Sequence, residues 1–208
     1  AMDLALGVDV FHTFPLVPAD IMDEAPLRRG EKTIHEKWHR GIAILSGDVM
    51  FVKAYQYLCR VGTPHLKEIL DLFNTTAIEV CEGQQLDMNY ESEDKINLSQ
   101  YERMIELKTA VLLACSLKMG AIYSGASKED SDAIYEFGRC IGIAFQIQDD
   151  YLDAYANPEE FGKKVGGDIL NDKKTFLMIS ALEKANFDQK QRVESFKSDL
   201  IEENQKIE

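Results

Sequence analysis

Apolar residues recur at helical spacing along most of the chain and β-branched alternation is nowhere sustained, so the pattern predicts helices joined by short loops, without strands. Leu4, Leu6, Val8, Val10, Phe11 and Phe14 open the chain already inside a periodic stretch, with no capping residue ahead of it. That start is expected where further helices precede in a longer protein. Thr33 is placed to cap a helix whose apolar positions run from Ile34 and Trp38 to Leu58, weakened at Gly41 and Gly47. Thr63-Pro64 predicts the start of another helix, reaching about Asn89. Ser99-Gln100-Tyr101-Glu102 has the form of a capping box and opens a helix ending near Gly120. Ser127 to Asp130 opens a long central helix in the same way, and Asn157-Pro158 closes it. A Gly-rich charged loop from Phe161 to Asp172, a helix from about Lys173 and a highly charged tail from Asp188 to Glu208 follow. The expected architecture is all-α, a single domain over residues 1–208.

The central helix carries the most informative stretch. Ile134, Phe137, Ile141, Phe145 and Leu152 recur at helical spacing and predict a buried face. Asp149, Asp150 and Asp153 then arrive within five residues. On a helix Asp149 and Asp153 stand one turn apart on the same side, with Asp150 about 100° round. Acids at the end of an apolar stripe are costly unless compensated, and a hard divalent cation compensates them. Such a cluster standing alone is more often a solvated acidic helix end.

Composition narrows the chemistry. Over 208 residues, 23 Lys and Arg face 36 Asp and Glu, a net charge of −13 that disfavours nucleic acid and anionic membrane surfaces. A polyanionic substrate must therefore be met by a local basic cluster or by metal. Cys59, Cys81, Cys115 and Cys140 form no CxxC pair and read as small core residues, fitting a soluble, reducing, cytoplasmic protein. The best apolar run, Thr109 to Ala126, is interrupted by Lys118 and Gly120 and is too short for a membrane span, and the opening residues lack a basic signal-peptide region.

A second acidic helix end, Asp20, Asp23 and Glu24, is followed at once by Arg28-Arg29-Gly30. Carboxylates beside an arginine pair suit a diphosphate, bridged by metal on one side and gripped by guanidinium forks on the other. The bland reading is a surface salt-bridge patch. Further motifs accompany it in order: His12, Lys108-Thr109, Phe145-Gln146 ahead of Asp149-Asp150-x-x-Asp153, Phe161-Gly162-Lys163, Gly166-Gly167-Asp168 and Lys173-Lys174-Thr175. On these residues, spread over nearly its whole length, the chain resembles the trans-isoprenyl diphosphate synthases, or polyprenyl synthetases, of the short-chain type similar to farnesyl and geranylgeranyl diphosphate synthases.

The resemblance implies a helical bundle around a central cavity and head-to-tail condensation of an allylic diphosphate with isopentenyl diphosphate in isoprenoid biosynthesis. It implies Mg²⁺ held by Asp23, Asp149 and Asp153, with Asp20 and Asp150 as further candidates. Arg28, Lys108, Thr109, Gln146, Lys163 and Lys173 would meet the allylic diphosphate or departing pyrophosphate, with Lys108, Gln146, Lys163 and Lys173 as catalytic candidates. Arg29 and His12 would hold isopentenyl diphosphate. Family members are usually homodimers. Without that context His12, between Phe11 and Phe14, reads as a packing residue, and Lys163, Lys164, Lys173 and Lys174 as a solvated loop. Gln84 and Asp87 stand one turn apart on a helix and either line the cavity or face solvent.

The chain departs from the family pattern at its first acidic motif. Pro18-Ala19-Asp20-Ile21-Met22-Asp23 stands where His-Asp-Asp-x-x-Asp is expected, so the leading carboxylate is replaced by Ala19. Pro15 and Pro18 are each expected to interrupt helix hydrogen bonding, at about 3 kcal/mol. The family's Gly-Lys-x-x-Arg-Pro segment is expected upstream, and helices are expected beyond the tail. Phe14, five positions before Ala19, and Pro15 are the chain-length candidates, pointing to C15 or C20 products. The alternatives are a catalytically impaired homologue that binds prenyl diphosphates or modulates an active partner, motivated by Pro18 and Ala19, and a class I terpene cyclase.

Overall fold

The computed structural model describes residues 1–155, 167–170 and 173–205, and nearly all of them are helical. In chain order the elements are α1 (Met2–Thr13), α2 (Leu16–Met22), β1 (Leu27–Arg28), β2 (Glu31–Lys32), α3 (Ile34–Lys37), α4 (Arg40–Leu58) and α5 (Leu66–Glu91). They continue with α6 (Leu98–Ile105), a π-helical turn (Glu106–Ala110), α7 (Val111–Tyr123), α8 (Lys128–Tyr155), α9 (Gly167–Leu170), α10 (Phe176–Lys184) and α11 (Phe187–Gln205).

The two strands correct the all-helix expectation on a small scale. They form an antiparallel hairpin in which Leu27 pairs with Lys32 and Arg28 with Glu31. Arg29 at φ 54° and Gly30 at φ 79° supply the two consecutive positive φ values of a type I′ turn, which Gly adopts without a Cβ penalty. Two-residue strands leave no room for the alternation by which sequence reveals a strand.

Several boundaries also move. The helix expected from Ile34 to Leu58 is broken at Trp38 and His39. His39 is extended, and its Nδ1 accepts from the Gly41 and Ile42 amides at 3.1 and 3.4 Å, restarting the chain as α4. α5 begins after His65, not at Pro64. The capping box that opens α6 is Asn97 with Gln100, two residues ahead of the expected Ser99 and Glu102. α7 runs past Gly120 to Tyr123, where Gly125 at φ 76° and the Ala126 amide bonding to the Ala121 carbonyl close it as a Schellman motif. Thr175 caps α10 through its hydroxyl, so that helix starts after the expected Lys173. Asn157-Pro158 lies outside the described residues.

The prolines cost less than expected because of where they fall. Pro15 separates α1 from α2 and Pro18 sits in the first turn of α2, where the backbone N–H has no helical acceptor to lose.

Phe11 and Phe73, fully buried with ring centres 4.9 Å apart, anchor the main core between α1, α4, α5 and α7. Burying each ring contributes roughly 1.5–3 kcal/mol. A smaller core joins Tyr101, Met104 and Ile105 of α6 to Ile179 of α10. The expectation for α8 is overturned: Phe137 and Phe145 are each 59% exposed, and Ile134 and Ile141 are exposed with them. Its buried positions are Ser131, Gly138, Gly142 and Asp150. The reason is close approach to α7 and to the π turn that precedes it. A Cβ on Gly138 would lie 2.7 Å from Ala114 Cα, and one on Gly142 2.5 Å from Ala110 Cα. The small-residue face is the one that fits there, so Phe137 and Ile141 are left exposed and Phe145 borders the cavity described below.

Met2–Met22 is long and apolar enough, by length and composition, to cross a membrane. Its Phe11 lies in the core and its Asp20 binds Arg28, which ties the segment into the bundle.

Candidate active site

A cavity of about 690 Å³ runs between α1, α2, α5, α6, the π turn, α7 and α8. Its lining is graded. Asp23, Arg28, Asp87, Lys108, Asp149, Asp150, Asp168, Lys173 and Lys174 contribute at the charged end, and Val8, Val80, Leu112, Leu113 and Gly142 supply apolar wall. The positions follow from helix geometry. On α1–α2 the cavity residues Val8, His12, Leu16, Ala19 and Asp23 recur every three or four positions. Val80, Gln84 and Asp87 do the same on α5, and Gly142, Phe145, Gln146 and Asp149 on α8.

The two acidic helix ends share this cavity. Asp23 caps the C-terminus of α2, and Asp149 lines the cavity from α8. Ala19, one turn before Asp23, also lines it, so the residue missing from the first motif falls at the wall itself. Asp20 does not line the cavity. It is buried, and its Oδ1 accepts from Arg28 Nε at 2.7 Å and Nη2 at 2.6 Å. Arg28 reaches the cavity; Arg29 is exposed in the hairpin turn and does not line it. His12 and Pro15 line the wall. Phe14 does not, because its ring stacks on Phe51 with centres 5.0 Å apart.

The π turn presents Lys108 and Thr109 in succession. Lys108 Nζ lies 2.5 Å from Asp87 Oδ2. Thr109 donates to Gln146 Oε1 at 3.0 Å, and Gln146 Nε2 donates to Asp150 Oδ1 at 3.1 Å. Asp150 accepts two further bonds on Oδ2, from the Tyr101 hydroxyl at 2.6 Å and the Phe176 amide at 3.2 Å. That carboxylate joins α6, α8 and α10, and burial together with its hydrogen bond pushes the Tyr101 hydroxyl pKa far above the ordinary phenol value. Asp153 does not line the cavity; its Oδ2 accepts from the Asp168 amide at 2.9 Å.

Electrostatics there are dominated by excess acid. Burial, followed by the nearby Asp153 charge, raises the Asp168 carboxyl to about 6, against the pull of Lys173. Burial alone would lower the Lys173 ammonium, yet Asp87, Asp23, Asp168 and Glu91 together hold it above the ordinary lysine value. Among the described residues no three acidic, histidine or cysteine side chains converge to hold an ion unaided. The donor set suits Mg²⁺ all the same, since that ion takes one or two carboxylates and completes its shell with water and substrate phosphate oxygens. Lys163 lies outside the described residues.

A polyprenyl synthetase family model matches residues 1–208. The chain belongs to the polyprenyl synthetase family. It is 42% identical over 194 residues to a short chain isoprenyl diphosphate synthase of Methanothermobacter thermautotrophicus, covering 93% of this chain and 60% of that protein. It is also 42% identical over 182 residues to a geranylgeranyl diphosphate synthase of Methanosarcina mazei, covering 86% and 56% of the two. A crystal structure of geranylgeranyl pyrophosphate synthase superposes with a TM-score of 0.88 at 44% identity, over 93% of this chain and 59% of that one. The corresponding Pyrococcus horikoshii enzyme gives 0.87 at 36%, over 96% and 63%. The chain thus spans about 60% of the length of the curated relative matched over 93% of it.

Sequence reasoning left Asp87 open and passed over Tyr101 as a partner of Asp150. Asp87 had a signal in its spacing: it follows Val80 and Gln84 on one face of α5 and Gly83 by one turn. Tyr101 had one in its chemistry, since a tyrosine in an apolar helix face usually finds a partner for its hydroxyl.

Proposed function

We propose that this chain forms the catalytic cavity of a Mg²⁺-dependent trans-prenyltransferase that condenses an allylic diphosphate with isopentenyl diphosphate to a C15–C20 prenyl diphosphate. The observation that carries the reading is the shared cavity: Asp23 lines it from the end of α2 and Asp149 from α8, and Lys108 and Lys173 belong to the same lining. In this reading Asp23, Asp149 and Asp153 hold Mg²⁺, which neutralises diphosphate charge when bound. Asp20 and Asp150 support the two motifs through Arg28 and Tyr101. Arg28, Lys108, Thr109, Gln146, Lys163 and Lys173 meet the allylic diphosphate, and His12 and Arg29 the isopentenyl diphosphate.

The allylic C–O bond breaks and its electron pair leaves with the diphosphate. Ammonium groups of Lys108 and Lys173 gain most from that added charge, so they stabilise the transition state beyond the ground state. The isopentenyl double bond attacks the carbocation and a C–C bond forms; the resulting cation then regains a double bond as a C–H bond breaks and the proton passes to the released diphosphate or to water. Val8, Val80, Leu112, Leu113 and Phe145 line the wall with apolar surface that keeps water from the cation. Pro15 and Phe14 act on product length, Pro15 at the wall and Phe14 through the packing behind it.

A second copy is part of the reading. Ile42, Leu45, Val49 and Val52 recur at intervals of three and four on the exposed side of α4, a stripe suited to helix pairing in a homodimer. Four free cysteines fit a reducing cytoplasm. The test is incubation with labelled isopentenyl diphosphate and an allylic diphosphate over a Mg²⁺ series. Chain extension that requires Mg²⁺ supports the reading; no extension at any concentration refutes it. The curated relatives bear synthase names, and none of those names favours a catalytically impaired homologue.

A further inference from the structure

We infer that Asp87 is a positioning residue that fixes Lys108 at the diphosphate end of the cavity. The inference rests on the reading above and assigns a role to a side chain outside the two acidic motifs.

α5 grips Lys108 at both ends. At Gly83 the helix meets the π turn so closely that a Cβ would fall 2.3 Å from Lys108 N and 2.7 Å from its Cα. One turn further on, Asp87 Oδ2 lies 2.5 Å from Lys108 Nζ. The Asp87 side chain is 17% exposed and that of Lys108 34%, so the pair is screened less than a surface ion pair. Lys173 lines the cavity with them, and Asp87 leads the charges that stabilise its ammonium. The same carboxylate thus pairs with Lys108 and adds to the negative field at Lys173, which reaches the cavity from a different part of the chain.

This arrangement matters because a lysine is a point charge on a flexible stem of four methylenes. Fastened at its backbone and at its ammonium, Lys108 presents one geometry to an arriving diphosphate without reorganisation. A carboxylate is a poor direct contact for a diphosphate, so Asp87 acts through Lys108 and does not touch the substrate.

The experiment uses inorganic pyrophosphate as probe, titrated with Mg²⁺ into the whole chain and into Asp87→Asn, Lys108→Met and the double variant. Asp87→Asn keeps the side-chain shape, and circular dichroism checks that each variant is folded. We expect Asp87→Asn to weaken pyrophosphate binding about tenfold in the wild-type background and under threefold once Lys108 is Met, with Asp87→Glu recovering part of the loss. Asp132→Asn, which breaks the remote pair with Lys118, leaves affinity unchanged. Equal losses with and without Lys108, or wild-type affinity in Asp87→Asn, overturn the inference while leaving the prenyltransferase reading intact. Absence of pyrophosphate binding by the unaltered chain together with absence of prenyl transfer overturns both.

Discussion

The Thr109 hydroxyl donates to Oε1 of Gln146 at 3.0 Å, and that bond decides which way the amide faces. With its oxygen occupied, Gln146 turns its NH₂ to Asp150, a carboxylate that can only accept. The relay thus runs from the π turn across α8 to the residue joining α6 and α10.

Asp150 is buried and depends on its donors, so removing one is expensive. Tyr101→Phe deletes only the hydroxyl at 2.6 Å. The expected loss is about 1.5–3 kcal/mol, typical of a hydrogen bond to a charged group. Urea denaturation of the two proteins checks it; a difference below about 0.5 kcal/mol, the range of ordinary surface substitutions, would show that Asp150 is satisfied without Tyr101.

Two glycine substitutions should have opposite signs. Gly142→Ala drives a methyl to 2.5 Å from Ala110 Cα, forcing the π turn and α8 apart at a cost of about 1–3 kcal/mol. Gly120→Ala, inside α7 with nothing within 4 Å of the new methyl, gains about 0.5–1 kcal/mol from helix propensity. Thermal melts of both variants report the two signs directly.

Ala19 lines the cavity one turn before Asp23, in line for a third carboxylate. Ala19→Asp is expected to raise Mg²⁺-dependent turnover about tenfold or more, equivalent to about 1.4 kcal/mol of transition-state stabilisation. Activity unchanged at zero in both proteins would instead favour a binding role.

Asp168 gives a pH dependence with a defined sign. Its folded value of about 6 lies above the ordinary carboxyl value of 3.8 expected when unfolded, so the folded chain holds this proton more tightly. Its contribution to stability is greatest below about pH 4 and is lost as pH rises through about 6. Metal-free wild type should therefore lose stability relative to Asp168→Asn between about pH 4 and 7, by on the order of 1 kcal/mol after discounting for solvent screening. Parallel melting curves across that range would contradict the assignment.

The sequence revealed those features that repeat or recur in a motif. Helical spacing exposed the bundle, and the aspartates at 23, 149 and 150 fall on the cavity lining, whereas Asp153 of the same motif does not. It could not rank faces of α8, because an aromatic stripe scores as core wherever the close partner turns out to need Gly138 and Gly142. Nor could it separate Asp20 from Asp23: both sit at one helix end, and only the Arg28 contact turns Asp20 away from the cavity. Phe14 shows the same limit, since helical spacing places it near the wall while Phe51 draws its ring out. The hairpin at Leu27–Lys32 was too short to leave a periodic trace, although its Arg29-Gly30 turn had a usable signal in the glycine.

The claim on which the rest depends is that Asp23 and Asp149 act together, through metal, on one diphosphate. Calorimetric titration of the whole chain with a non-hydrolysable allylic diphosphate analogue, with Mg²⁺ and with chelator, tests it most directly. The account predicts binding that requires Mg²⁺ and falls at least about tenfold, or about 1.4 kcal/mol, in Asp23→Asn and in Asp149→Asn. Equal affinity in the presence of chelator, or wild-type affinity in both variants, would contradict it.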